Sequence, residues 1–226
     1  MNQDPNLMLP AAQQAPIIMS ELVTAAQALS HIGPAVSVFG SARITPSSPY
    51  YALSLDVGAR LANAGFAVIA GGGPGIMEAA NKGAFEANGT SVGLNIKLPS
   101  EKKNNPYQTV SLSFEYFYSR KATFFMHSMA YIALPGGFGT LDELFEALTL
   151  IQTGKLAKGP VILIGSDFWN GLIDWIKIEL LPKNLITQDH LDLFSVEDDP
   201  AKVINMIESF ALTHVQDVNR LSSLPK

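Results

Sequence analysis

The sequence predicts an α/β fold: a doubly wound, mostly parallel sheet with helices on both faces, of the Rossmann-like kind. Three observations carry this expectation. Short apolar runs alternate with amphipathic helical segments from about residue 35 to residue 210, the pattern of parallel strands joined by crossover helices. Several runs end in glycine-rich turns, where a strand hands over to a helix. Hydrophobic residues make up 47% of the 226 and charged residues only 15%, against about 25% charged in ordinary soluble domains. The core is therefore large.

Residues 1–16, rich in Asn, Gln, Pro and Ala, read as a mobile tail. Ile18, Leu22, Ala25, Leu29 and Ile32 then step by four and three, one face of a helix over 17–33 that Gly33-Pro34 ends. A single catalytic domain is expected over 34–212. It opens with a strand at Ala35–Phe39, a helix at Tyr50–Ala64, a strand at Phe66–Ala70 and a helix at Ile76–Ala87. Ser91–Leu98 and Val110–Phe117 are strand-like, with a polar loop at 99–106 between them and a helix at Tyr118–Ala130 behind. Strands at Tyr131–Leu134 and Val161–Ile164 alternate with helices at Leu141–Gln152 and Phe168–Leu181. An extended piece at Leu191–Val196, a helix at Pro200–Phe210 with Pro in its first turn, and a tail over 213–226 complete the chain.

Charge and composition narrow the function. Fifteen basic and 20 acidic residues give a net charge of -5, with no basic run longer than the pair Lys102-Lys103. Nucleic acid is disfavoured as a partner. Cysteine is absent, which removes disulfides, thiolate zinc sites and cysteine nucleophiles together. No Lys or Arg precedes Arg43 and no apolar stretch is long enough to span a bilayer. The expectation is a cytoplasmic protein with no membrane partner, no metal and no cofactor.

In doubly wound sheets ligands bind beyond the carboxyl ends of the strands, at helix N-termini. Three turns qualify: Gly40-Ser41-Ala42-Arg43, the glycines at 71–73, and Pro135-Gly136-Gly137-Phe138-Gly139-Thr140. Glycine lets the backbone approach an anion, free N–H groups point at it, and the Thr140 hydroxyl adds a donor. The plain alternative is that these glycines only make tight turns. Neither the dinucleotide fingerprint nor a P-loop is present, since Ile76 stands where a third glycine is required and no turn continues into Gly-Lys-Ser/Thr.

Asp142-Glu143 and Glu146 follow the third turn. Asp142 suits the positive end of a helix dipole. Glu143 and Glu146, three apart, share a face that brings at least one to the glycine loop. Arg120-Lys121 lies near the start of the preceding helix, where cations oppose the dipole; arginine there suits a phosphate or ribose better than a cap. The four histidines are scattered and make no cluster.

Pro135-Gly136-Gly137-Phe138-Gly139-Thr140-Leu141-Asp142-Glu143 resembles the P-G-G-x-G-T-x-x-E signature of the Lonely Guy family. Gly71-Gly72-Gly73-Pro74-Gly75-Ile76-Met77-Glu78 is similar to that family's second glycine turn, and Ser119-Arg120-Lys121 to its Arg-Lys pair. Leu98-Pro99-Ser100-Glu101 with Asn105-Pro106-Tyr107 resembles its longer bacterial branch. The resemblance spans about 34–210. It implies hydrolysis of the N-glycosidic bond of a nucleoside 5'-monophosphate, AMP or an N6-modified AMP, to base and ribose 5-phosphate. It implies Arg120 and Glu143 as the catalytic pair. It implies substrate or phosphate contacts from Ser41, Gly73, Glu101, Lys121, Gly136, Gly137, Gly139 and Thr140, and a homodimer or higher homo-oligomer. A non-catalytic nucleotide or cofactor carrier on a similar fold is the alternative, and Glu143 is the residue that separates the two, because a binder of anions gains nothing from it.

Overall fold

The computed structural model describes residues 10–98 and 104–222, with side chains to residue 213. Seven strands form one sheet: β1 (Ala35–Phe39), β2 (Ala67–Ala70), β3 (Ser91–Ile96), β4 (Val110–Phe114), β5 (Ala130–Ala133), β6 (Val161–Leu163) and β7 (Ser195–Val196). The order across the sheet is β4-β3-β2-β1-β5-β6-β7 and every pairing is parallel. The doubly wound α/β fold follows directly. β1, β2, β5 and β6 are buried along their whole length, as a sheet covered on both faces requires.

Helices α1 (Ala11–Ala28), α4 (Phe117–His127), α5 (Phe138–Gln152) and α6 (Ser166–Trp175) pack on one face. Their core contribution includes Leu29 beyond the end of α1, Phe124, Leu144, Ala147 and Trp169. Helices α2 (Pro49–Asn63), α3 (Ile76–Glu86) and α7 (Pro200–Ser222) cover the other through Val57, Leu61, Ile76, Ala80, Val203 and Ile207. Small residues let α2 and α3 lie close. A Cβ on Gly58 would fall 2.2 Å from the Ala80 carbonyl oxygen, and one on Gly83 2.0 Å from that of Leu55.

The ends of the chain depart from the expected tails. α1 starts at Ala11 and carries Pro16 inside it; the alanines and glutamines of 11–15 are strong helix formers, and one proline removes one backbone bond. It also stops at Ala28, short of Ile32. α7 runs to Ser222 rather than Phe210, since no Gly or Pro interrupts it. The expected helix at 168–181 becomes α6 followed by a π-helical turn at Ile176–Leu180. Much of the extended piece at 191–196 is a 3₁₀ helix, Gln188–Leu193, ahead of the short β7. Among the described residues no helix is long and apolar enough to cross a membrane.

The strand order places the candidate crevice. From β1 the chain builds outward through β2, β3 and β4, then crosses back to lay β5 on the other side of β1. Loops after β1 and β5 therefore diverge, and such a switch point is where doubly wound sheets bind ligands.

Candidate functional site

Ser41 ties three turns together at this crevice. Its N–H donates to the Pro135 carbonyl at 3.1 Å, and its carbonyl accepts the Ile76 N–H at 3.0 Å. Its hydroxyl accepts the Arg43 N–H at 3.0 Å. Gly75, at φ +72°, passes so close that a Cβ would stand 2.4 Å from the Ser41 carbonyl oxygen.

Helix α5 starts at Phe138, three residues earlier than its periodicity predicts, so Gly139 and Thr140 lie in its first turn. Gly137 is its N-cap and supplies no side-chain cap. The first N–H groups of a helix have no partner within it, so this end presents donors and a positive dipole to the crevice. The four residues are not equivalent. A Cβ on Gly136 would collide with the Thr140 hydroxyl at 2.1 Å, whereas Gly137 and Gly139 face open space. Packing inside the chain explains the first glycine and not the other two.

Asp142 is not in the first turn of α5, contrary to expectation, because the helix begins so early. Its carboxylate pairs with Lys121 at 3.0 Å. Glu143 and Glu146 also part company. Glu146 joins Asp142 on Lys121, at 2.8 Å, while Glu143 turns to Arg120, Oε1 to Nη1 3.6 Å. One residue along a helix is about 100° of rotation, and consecutive Arg120 and Lys121 thus face different partners. Burial lowers the Lys121 pKa, but the hydrogen bonds that it donates to Glu146 and Asp142 outweigh this and raise the value overall.

Arg120 is buried in α4. Its Nε donates to the Leu94 carbonyl at 2.7 Å and its Nη2 to the Gly71 carbonyl at 3.4 Å. The guanidinium carbon lies 5.3 Å from the Phe124 ring centroid and 6.0 Å from that of Phe117. Burial lowers its pKa, and the attraction of Glu143 offsets only part of that. The Glu143 carboxyl is pushed up to about 7, chiefly by burial and against the pull of Arg120. A cation and a carboxyl in this setting can hold an anionic substrate and exchange a proton near neutrality.

The 71–73 turn carries a network in which Asn105, part of the Asn105-Pro106-Tyr107 motif, meets Asn81, Asn95 and Gln108, which no motif singles out. The Asn105 N–H donates to the Gly72 carbonyl at 2.8 Å; its side-chain amide donates to the Gly73 carbonyl at 3.1 Å and to Asn81 at 3.0 Å. Gln108 adds a bond to the Gly72 carbonyl at 3.1 Å. Asn95 donates to Gln108 and Ser111. The available signal was Asn95 itself, an amide in the strand-like run that starts at Ser91, which once buried requires partners. Glu101 lies outside the described residues.

The model of a family described as possible lysine decarboxylase matches residues 77–207. The cytokinin riboside 5'-monophosphate phosphoribohydrolase LOG3 of Arabidopsis thaliana is 27% identical over 190 residues, 82% of this chain and 87% of the relative. Among solved structures, the molybdenum cofactor binding protein of Rippkaea orientalis is similar at TM-score 0.58 and 25% identity, over 78% of this chain and 96% of that one. The molybdenum cofactor carrier protein of Chlamydomonas reinhardtii shares the fold at TM-score 0.59 and 22% identity, over 79% and 98%.

Proposed function

The chain belongs to the Lonely Guy family, whose model matches more than half of it, and from this premise we propose that it hydrolyses the N-glycosidic bond of a nucleoside 5'-monophosphate. The substrate class is AMP or an N6-modified AMP; the products are free base and ribose 5-phosphate. One observation carries the reading. A carboxyl held near neutral pKa faces a buried arginine beside an uncapped helix N-terminus.

In this mechanism the 5'-phosphate sits at the start of α5, on the N–H groups around Gly136, Gly137, Gly139 and Thr140, with Ser41 and Gly73 on the neighbouring turns. Gly137 and Gly139 leave the room that the phosphate needs. Arg120 orients the phosphoribosyl group, so that remote binding energy serves the reacting carbon. The ribosyl–base bond loosens to an oxocarbenium-like state that the Glu143 carboxylate stabilises. Glu143 accepts a proton from the attacking water, whose oxygen bonds C1', while the base leaves with the bonding pair and takes up a proton. Lys121 holds α4 to α5 through Asp142 and Glu146, and substrate contact by Glu101 completes the assignment.

The residues do not fit the lysine decarboxylation that the family model's description names. A pyridoxal Schiff-base lysine works with a depressed pKa, whereas the carboxylates around Lys121 raise it. A carrier of an anionic cofactor is the second reading, supported by the 25% identity to the Rippkaea orientalis protein. Glu143 argues against it, because an anion binder gains nothing from a carboxyl facing its arginine. For assembly we take a homodimer or a multiple of one, formed through the exposed aromatic groups of α4 and α5, Tyr118 and Phe138.

The test is chromatography of protein incubated with AMP, N6-isopentenyl-AMP and adenosine. Free base from a monophosphate but not from adenosine supports the hydrolase. Tight nucleotide binding without base release moves the assignment to the carrier.

A further inference from the structure

We infer that Glu21, on the helix that precedes the sheet, is a positioning residue for Arg120: its carboxylate caps α4 from outside and thereby fixes the guanidinium opposite Glu143.

The start of α4 lacks what a helix N-terminus requires. Its N-cap, Tyr116, gives no side-chain hydrogen bond, and no acidic residue lies in the first turn. That turn instead carries Arg120, a cation at the positive end of the dipole. Glu115, just before the cap, is engaged by Lys97.

Glu21 supplies the missing anion. Its Oε1 accepts the Glu115 N–H at 2.6 Å and its Oε2 accepts the Ser119 hydroxyl. The same hydroxyl reaches the Tyr116 carbonyl at 3.0 Å, and the Arg120 N–H donates to that carbonyl at 3.3 Å. The cap therefore ends one residue from Arg120, whose head group spans to Leu94 and Gly71. α1 also packs directly on α4, while a cavity of about 370 Å³ lies between α1 and β4 here, lined by Ser20, Glu21, Thr24, Ser111 and Ser113 among others; the Glu21 carboxylate is the polar link between the two helices. Ala25 and Leu29 anchor the helix further along.

The consequence for the proposed hydrolase is that α1 sets the Arg120–Glu143 separation and with it the charge state of Glu143. The test does not depend on turnover. The Glu143 carboxyl is titrated by carbon NMR in the full-length, ligand-free protein, its signal assigned by its loss in Glu143→Gln. Glu21→Ala is expected to move the midpoint upward by about half a pH unit or more, because a displaced Arg120 supports the carboxylate less. Deleting a negative charge acting only through space moves it downward, so the sign separates the two effects. The other groups acting on Glu143, namely Asp142, Lys121 and Glu146, are unchanged in the variant. Glu21→Gln, which loses the charge but keeps one of the two acceptors, is expected to shift upward by less than Glu21→Ala. Ser119→Ala, which leaves the charge alone, shifts upward by less and decides the matter if Glu21→Ala does not fold. A midpoint unmoved or lowered in Glu21→Ala, or unmoved in Ser119→Ala when that variant must decide, overturns the inference. Absence of base release from both AMP and N6-isopentenyl-AMP by the wild type would instead overturn the hydrolase.

Discussion

Arg120 Nη1 stands 3.6 Å from Glu143 Oε1, with 7% and 13% of the two side chains exposed. The separation is longer than a charge-assisted hydrogen bond. A buried pair this loosely joined gains too little from its attraction to recover its desolvation. That is the arrangement of groups held apart for a third participant.

Replacing Glu143 by Gln keeps the shape and removes the base. Base release from AMP is expected to fall by about 10²–10⁴-fold, while ribose 5-phosphate still binds by calorimetry. Full turnover in this variant would take Glu143 out of the chemistry.

The pH dependence follows from the same carboxyl. With its value raised from 4.5 to about 7 by burial, the folded protein holds a proton that the unfolded chain has already released. Stability therefore falls as pH rises between those values and is level above, by about 3 kcal/mol in total. Urea unfolding of wild type against Glu143→Gln across pH 4.5–8 measures it: the slope belongs to the wild type and is absent from the variant. For catalysis the sign reverses, and kcat/KM rises through about pH 7 as the base ionises.

Gly71 allows Arg120 its seat. A Cβ there would lie 2.3 Å from Arg120 Nη2 and 2.4 Å from Met77 Sδ. Gly71→Ala is expected to displace the guanidinium and lower kcat/KM by about 10²-fold, since an arginine contact misplaced by about an ångström costs that much. Steady-state kinetics beside a thermal melt separate this from unfolding.

Asn105 fastens its loop to the 71–73 turn. Asn105→Ala strips the Gly73 carbonyl and Asn81 of a donor, and leaving such groups unsatisfied costs about 1–3 kcal/mol. Denaturant unfolding should show that loss, and hydrogen exchange should rise across the turn.

Much of the framework was legible in the residues. β1, β2, β5 and β6 are buried on both faces, so their sequences are continuous apolar runs, and the glycine turns after β1, β2 and β5 mark the carboxyl ends where ligands sit. α1 and α7 run past their expected ends: Ala11 and Ala15 extend the four-and-three spacing of Ile18 and Leu22 backward, and Leu212, Val215 and Val218 extend helical spacing past Phe210, but the polar residues between them mask the pattern.

Sequence by itself determined the fold class and the three glycine turns, since those depend on local pattern, and the family resemblance put forward Arg120 and Glu143. Tertiary structure decided the rest. It decided that Lys121 serves Asp142 and Glu146 while its neighbour faces Glu143. It brought Asn105 to Gly73 and Glu21 to Ser119 across 32 and 98 positions of chain. The physical reason is distance along the chain: hydrogen bonds between residues so far apart leave no periodicity, and only the packing of whole elements sets which groups meet.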